Sequence, residues 1–351
     1  MKRNNLTLII DGNWLMMSRL SVLMNSHNDM KSLCNDLNLL MLKSIKIVLK
    51  QFSDIDNIIF VSDGGSWRNS LDIPEFLNHD ELGSLVEYKG TREKDESFDW
   101  ESLFNSFDDF VALLNVNGIT TSRIESIEGD DWCYHWTKLL NENNINCIIW
   151  SKDADLQQLV HTDNNSCFTI WWNKQSGIVA EEVDNNDFDF LFNPLYATNN
   201  TILNNVIKGA KTIKYINPKE IVIDKIVRGD MGDNIFPIIT KKSKNNTKTY
   251  RVTHKELDLS LDYKDDDKIK EYIDGLLSLK KYKEITKPEE DIIEHFKYNR
   301  MLVCLDEEYY PDSVKEIFEN NSNYNVSTNI DEVENILNAK QNELTNILEF
   351  I

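Results

Sequence analysis

Nowhere does the 351-residue chain carry an apolar run near the roughly 20 residues that a membrane-spanning helix needs. Its opening, MKRNNLTLIID, also lacks a signal-peptide hydrophobic region. These two absences exclude a membrane role and lead us to expect a cytoplasmic protein. Cysteine is sparse: Cys34, Cys133, Cys147, Cys167 and Cys304 show no CxxC spacing, and Cys147 falls within a buried-strand pattern. Neither a disulfide framework nor a zinc site fits, so reduced, inert thiols are expected. No internal repeat is detectable. Basic charge is in deficit as well, with 38 Lys and Arg against 59 Asp and Glu and a formal net charge of −21. Taken as a total, that argues against a nucleic-acid partner, because phosphate binding needs basic surface.

What the chain does have is 41% hydrophobic content, enough for one large core or two smaller ones. It also has acids where short apolar segments stop. Leu6 to Ile10, Ile58 to Val61 and Cys147 to Trp150 each read as a buried strand running into a carboxylate, in LTLIIDG, NIIFVSDG and CIIWSKDAD. In open α/β sheets ligands bind beyond the carboxyl ends of parallel strands. Nine acids are therefore candidate metal ligands: Asp11, Asp63, Glu128, Asp130, Asp131, Asp153, Asp155, Asp230 and Asp233. Crowded carboxylates raise one another's pKa unless cations neutralise them. Mg²⁺ suits such a set because it takes oxygen ligands and keeps several waters, and Mn²⁺ is a plausible substitute.

The spacing within motifs sharpens this expectation. Glu128 and Asp131 lie three apart and share a helix face, whereas Asp130 needs to point off the first turn, which Gly129 would permit. Asp153 and Asp155 fall on one side of an extended segment. Asp230 and Asp233 follow Gly229 at the opening of a helix. Setting the nine ligands aside leaves a charge of −12, unevenly spread. Lys208 to Arg251 holds eleven basic residues against four acids, two of them candidate ligands, so this segment is expected to present a positive, phosphate-binding surface.

The first half alternates strand and helix. Leu37, Leu40, Met41, Ile45, Val48, Leu49 and Phe52 mark an amphipathic helix, as do Trp100, Leu103, Phe104, Phe107, Val111 and Leu114. A helix is expected from Asp130 to about Glu142, and a further strand, Phe168 to Trp172, near a sheet edge. Asn185 to Asn200 reads as a linker, and the rest as mostly helical. At the carboxyl end, Ile330, Val333, Ile336, Leu337, Leu344, Ile347 and Leu348 recur at near-helical spacing; they either dock on their own domain or contact a partner. The lack of symmetric apolar patches suggests a monomer.

The motifs together resemble the 5′ nuclease (flap endonuclease) superfamily, most closely its T-even-phage ribonuclease H branch. The elements are IIDGN at Ile9 to Asn13, SDGGSWR at Ser62 to Arg68, YKGTR at Tyr88 to Arg92, EGDD at Glu128 to Asp131, SKDADLQQL at Ser151 to Leu159 and GDMGDN at Gly229 to Asn234. DWESLF at Asp99 to Phe104 and YNRMLVCLDEEYYPD at Tyr298 to Asp312 match the T-even branch in particular.

The resemblance implies an α/β fold with a mainly parallel central sheet flanked by helices, PIN-like, and a smaller helical carboxyl-terminal DNA-binding region. The expected domains are residues 1–186, with a helical arch at about 88–118, and residues 187–351, with a helix-hairpin-helix-like element at about 225–255. By resemblance the nine acids form a two-metal cluster and Lys89 and Arg92 contact the scissile phosphate. Arg68, Tyr88, Lys241, Lys242, Lys244, Lys248 and Arg251 are the expected DNA contacts. The glycine pair usual in the hairpin is replaced by IITKKSKNNTKTYR, and LDIPEFLNHDELGSLVE lengthens the connection before Tyr88.

Phosphodiester hydrolysis needs an activated water, a Lewis acid and a stabilised leaving oxygen, which two Mg²⁺ ions about 3.5 to 4 Å apart supply. Lys89 adds positive charge and Arg92 a bidentate clamp. The expectation is a Mg²⁺-dependent 5′–3′ exonuclease and flap endonuclease acting on nicked, gapped or flapped duplexes. It would remove RNA primers from RNA–DNA hybrids in phage replication, in the host cytoplasm, with a single-stranded DNA-binding protein as a possible partner. The alternatives are a PIN-type single-strand ribonuclease and a non-catalytic DNA-binding replication factor.

Overall fold

The computed structural model describes residues 5–78 except 25, 28 and 53, then 87–90, 95–162, 167–180 except 174, 210–242, 249–322 except 283, 284 and 286, and residue 338. The expected linker at 185–200 and all but residue 338 of the apolar tail lie outside the described residues. Two compact units result, and they do not follow the expected cut after residue 186. The first comprises Met1–Gly65, Asp95–Ile216 and Glu316–Ile351; the second comprises Ser66–Lys94 and Asn217–Lys315.

In the first unit, β1 (Leu6–Asp11), β2 (Asn57–Val61) and β4 (Asn146–Trp150) are buried along their whole length. Helices cover both of their faces, so their apolar runs are continuous, as central parallel strands require. With β3 (Thr120–Ser122), β5 (His161–Thr162), β6 (Phe168–Trp172), β7 (Ser176–Ala180) and β8 (Thr212–Ile216) they form one sheet in the order β3-β2-β1-β4-β6-β7-β8, with β5 beside β6. All neighbours are parallel except β5–β6 and β6–β7. β6 is thus interior rather than at an edge, and β8 extends the sheet beyond where the sequence reads as mostly helical.

Helices α1 (Gly12–Leu23), α2 (Met30–Gln51) and α4 (Trp100–Val116) pack on one face, against Leu8, Ile10, Phe60, Ile148 and Trp150. The alternate strand residues, Ile9 and Ile149 among them, point to the opposite face, as a period of two demands. Helix α5 (Gly129–Glu142) packs against β1, β2, β4 and β6. Asp29 and Asp99 cap α2 and α4 by accepting from Ser32 N and Ser102 N, each worth about 1 kcal/mol. Leu103, Phe107, Phe110, Val111 and Leu114 are buried in the core, so the α4 part of the expected arch is a packed helix.

The second unit contains a short α3 (Glu75–Asn78), then α6 (Pro218–Arg228), α7 (Asp266–Ser278) and α8 (Glu289–Val303); α9 (Asp312–Asn320) follows. Its core joins Ile223, Ile226, Ile273, Ile292 and Phe296. Burying a side chain such as Phe296 contributes about 1.5–3 kcal/mol. Asn299 is buried and donates to both Ile226 O and Phe236 O at 2.8 Å. Arg68 Nε donates to Leu302 O at 3.0 Å, and Asn234 Nδ2 to Glu87 O at 2.8 Å. These buried polar links hold residues 66–90 to the distant segment 217–315, which is why the unit is discontinuous in sequence. After α6 comes a two-stranded antiparallel pair, β9 (Thr240–Lys242) with β10 (Thr249–Arg251), within the segment 225–255 for which a helix-hairpin-helix-like element was expected.

Candidate metal centre

Strand register places the first unit's acids. Asp11 is paired with Val61 and Ile10 with Trp150, so Asp11, Asp63, Ser151 and Asp153 all emerge at the carboxyl ends of adjacent parallel strands. Asp11 caps α1, with Oδ1 accepting from Trp14 N at 2.9 Å and Oδ2 from Ser151 Oγ at 2.6 Å. Burial dominates its titration and pushes its carboxyl up to about 7; the hydrogen bonds oppose this, and the nearby charges of Asp63 and Asp153 add to it.

Asp63 is exposed and held on both oxygens. Its Oδ1 accepts from Gly129 N at 2.7 Å and its Oδ2 from Asn13 Nδ2 at 2.7 Å, while Asp63 N donates back to Asn13 Oδ1 at 3.0 Å. Gly129 is needed here for close approach, since a Cβ would sit 3.0 Å from Asp63 Oδ1. Glu128 and Asp131 form a reciprocal capping box at the start of α5, with Asp131 Oδ2 accepting from Glu128 N at 3.3 Å. Their three-residue spacing therefore builds the helix end, and the half-buried Asp130 is the acid of that motif turned outward.

Beneath them lies Cys133. Burial first, then the carboxylates of Asp11, Asp130, Asp153 and Asp63, push its thiol well above the usual range. The acids at these strand ends offer carboxylate oxygens, which suit a hard cation.

Asp153 and Asp155 are joined through a turn rather than an extended segment. Asp153 N donates to Ser151 Oγ at 2.8 Å, and Asp153 Oδ1 accepts from Asp155 N at 2.9 Å, where a 3-10 helix begins. In the second unit, Gly229 ends α6 with φ of 73°, and a Cβ there would lie 2.4 Å from Ile235 O. Asp230 and Asp233 then occupy a tight turn closed by Asp230 N to Ile235 O at 2.9 Å and Ile235 N to Asp230 O at 2.8 Å, not the opening of a helix. Burial alone would raise the Asp230 carboxyl, but Lys225 Nζ at 2.6 Å and the Gly232 N–H outweigh it and hold the pKa low.

No family model matches the chain. A 5′-3′ exonuclease of Buchnera aphidicola subsp. Acyrthosiphon pisum is 27% identical over 296 residues, covering 80% of this chain and 93% of that protein. The crystal structure of the bacteriophage T5 flap endonuclease, as a variant in a pseudo-enzyme–product complex with DNA and metal ions, superposes with a TM-score of 0.52. Its identity is 18%, over 98% of this chain and 99% of that one. A second T5 structure of that protein, co-crystallised with metal ions, gives 0.51 at 17% identity over 97% and 99% of the two chains. This is the 5′ nuclease fold.

Within that 5′ nuclease fold the expected basic residues divide sharply. Lys89 is described: it has φ of 56°, its N–H donates to Asp233 O at 2.9 Å, and its ammonium lies 4.9 Å from the centre of the Tyr88 ring. Arg92, Lys244 and Lys248 lie outside the described residues. Lys241 and Lys242 are on β9, and Arg251 is exposed on β10. Arg68 and Tyr88 are corrections to the expected DNA contacts. Arg68 is 2% exposed, stacked on Trp67 and bonded to Leu302 O, and Tyr88 belongs to the second unit's core. Neither presents a surface to phosphate. Part of the basic segment is also neutralised internally, Lys225 by Asp230 and Arg228 by Asp224, while Lys211, Lys214 and Lys219 are exposed.

Two residues of the site were not singled out from the sequence, Asn13 and Ser151. Both lie inside motifs that were read for their acids, two residues after Asp11 and two before Asp153. A polar residue at those spacings is the only local signal; the partner each one holds is decided by β1, β2 and β4 lying side by side.

Proposed function

We propose that this protein is a metal-dependent 5′ nuclease that hydrolyses phosphodiester bonds at the 5′ ends of nicked, gapped or flapped duplexes. The observation that carries the reading is Asp11, a buried carboxylate held by the Trp14 amide and the Ser151 hydroxyl and facing Asp63 and Asp153 at the ends of parallel strands. The named relatives, a 5′-3′ exonuclease and a flap endonuclease bound to DNA and metal ions, support the same reading.

In this proposal Asp11, Asp63, Asp130 and Asp153 hold divalent cations, with Glu128, Asp131 and Asp155 supporting them. Asp230 and Asp233 are assigned a metal-binding role by the GDMGDN motif alone. Magnesium, when bound, would supply water activation, Lewis acidity and charge for the leaving oxygen. The chain's own groups orient and fix: Ser151 and Trp14 N hold Asp11, and Asn13 and Gly129 N hold Asp63. Lys89, and Arg92 by its motif, bring positive charge to the phosphate. Lys241, Lys242, Lys244, Lys248 and Arg251 contribute duplex affinity, which falls with salt.

The finer reading is primer removal in phage replication by a T-even-type enzyme, acting on RNA–DNA hybrids as a monomer, with a single-stranded DNA-binding partner. It rests on the sequence motifs. The test is cleavage of 5′-labelled flap, nick and single-stranded substrates, DNA and RNA, with Mg²⁺ and with chelator. Metal-dependent release of short 5′ products from flapped and nicked duplexes is expected. Cleavage of single-stranded RNA alone would favour a PIN-type ribonuclease, and no cleavage together with no Mg²⁺ or Mn²⁺ binding by calorimetry would leave a non-catalytic DNA-binding protein.

A further inference from the structure

The sheet of the first unit ends on β8, which among the described residues pairs with β7 alone. The pairing is parallel, with Ser176 opposite Thr212 and Ala180 opposite Ile216, and Thr212 N donates to Gln175 O at 3.1 Å. Alternate residues of a parallel strand bond to the same neighbour. Thr212, Lys214 and Ile216 therefore turn their backbone groups toward β7, and Ile213 and Tyr215 turn theirs away from the sheet. On that side neither residue has a backbone partner among the described residues.

The side chains alternate as well. Ile213 leans back over the sheet onto the first unit's core, its Cδ1 lying 2.8 Å from where a Cβ on Gly177 would be. Tyr215 shares that face and is 41% exposed. Lys214 stands on the opposite face. It is exposed, as is Lys211 just before the strand, and neither has a carboxylate partner among the described residues.

These features decide between three kinds of occupant. A phosphodiester carries only acceptors, so its oxygens would satisfy the outward N–H groups but oppose the outward C=O groups. A second copy, paired antiparallel so that both Ile213 and Tyr215 are used, would set Lys214 directly against Lys214, and like charges so placed are destabilising. Lysine on an edge strand discourages self-pairing for this reason. An extended peptide offers donors and acceptors in the alternation the edge requires, and acidic side chains on it would meet the lysine.

We propose that the β8 edge receives an extended segment of a partner protein as an added strand, with acidic side chains on the Lys214 face and apolar ones on the Ile213–Tyr215 face. The proposal goes beyond the nuclease reading and does not depend on it.

The experiment uses the full chain and a fluorescein-labelled peptide of alternating glutamate and valine, with binding read by anisotropy and backbone protection by hydrogen–deuterium exchange. The peptide is expected to bind and to slow exchange at Ile213 and Tyr215. Tyr215→Pro removes an outward N–H at a place where edge strands tolerate proline, and is expected to abolish binding. Lys214→Glu, a surface change that keeps the test open if the proline variant does not fold, is expected to weaken binding about five-fold and to favour a lysine–valine peptide instead. Failure of the peptide to bind, binding without slower exchange at Ile213 and Tyr215, or equal binding by the wild type and both variants overturns the proposal. Displacement of the peptide by duplex DNA would assign the lysines to phosphate, and dimerisation in sedimentation with those amides protected before peptide is added would assign the edge to a second copy; either result also overturns it.

Discussion

Asp11 in the first unit and Asp230 in the second are both aspartates drawn out of solvent, and they titrate in opposite directions. Asp11 has hydroxyl and amide donors but acidic neighbours, and burial pushes it up to about 7. Asp230 has Lys225 at 2.6 Å and is held low. Burial raises a carboxylate's pKa unless a cation stands beside it. The protein places that cation beside Asp230, whereas the groups that hold Asp11 are a hydroxyl and an amide. The comparison teaches that burial wins at Asp11 and a neighbouring charge wins at Asp230.

The largest expected effect is on Asp11 itself. Asp11→Asn is predicted to lower the cleavage rate by roughly 10³-fold or more, as removal of a group acting only on the reaction does. The same variant should melt higher than the wild type in chelator at pH 8, because a buried charge is gone. Cleavage at the wild-type rate in single-turnover assays would end the proposed metal role. Lys89→Ala is predicted to slow single-turnover cleavage by roughly 10²-fold, the scale for loss of one charge-stabilising group, with duplex affinity little changed.

Lys225→Met probes the compensated partner. Leaving the partly buried Asp230 without its cation is predicted to cost about 1–3 kcal/mol, read from the urea midpoint. No change in that midpoint would erase the contrast between the two aspartates.

A further effect is a pH dependence with a definite sign. Asp11 titrates near 3.8 when unfolded and about 7 when folded, so between these values the native state holds a proton that the unfolded chain has lost. Stability from this group is therefore fully present below pH 3.8 and is lost as pH rises through about 7. The slope is at most about 1.4 kcal/mol per pH unit. In chelator the melting temperature is predicted to fall from pH 5 to pH 8, and added Mg²⁺ to restore more of it at pH 8 than at pH 6. A cation at 100 times its dissociation constant adds about 2.7 kcal/mol. Equal Mg²⁺ shifts at both pH values would uncouple Asp11 from the cation.

Some of this was legible along the chain and some was not. The apolar runs of β1, β2 and β4 and the acids that end them are local patterns, and a fully buried parallel strand can hardly be written any other way. The amphipathic stripes of α2 and α4 and the bounds of α5 are local too. Sequence therefore determined an α/β sheet with carboxylates at the ends of its strands. Tertiary structure decided which acids are turned outward and which build the fold. Glu128 and Asp131 close a helix cap, Arg68 and Tyr88 are drawn into a core, and Ser151 reaches across 140 residues of sequence to Asp11. It also placed β6 inside the sheet. The physical reason is that periodicity reports only which face a residue lies on. Burial, pairing and charge compensation depend on neighbours that sequence distance does not reveal.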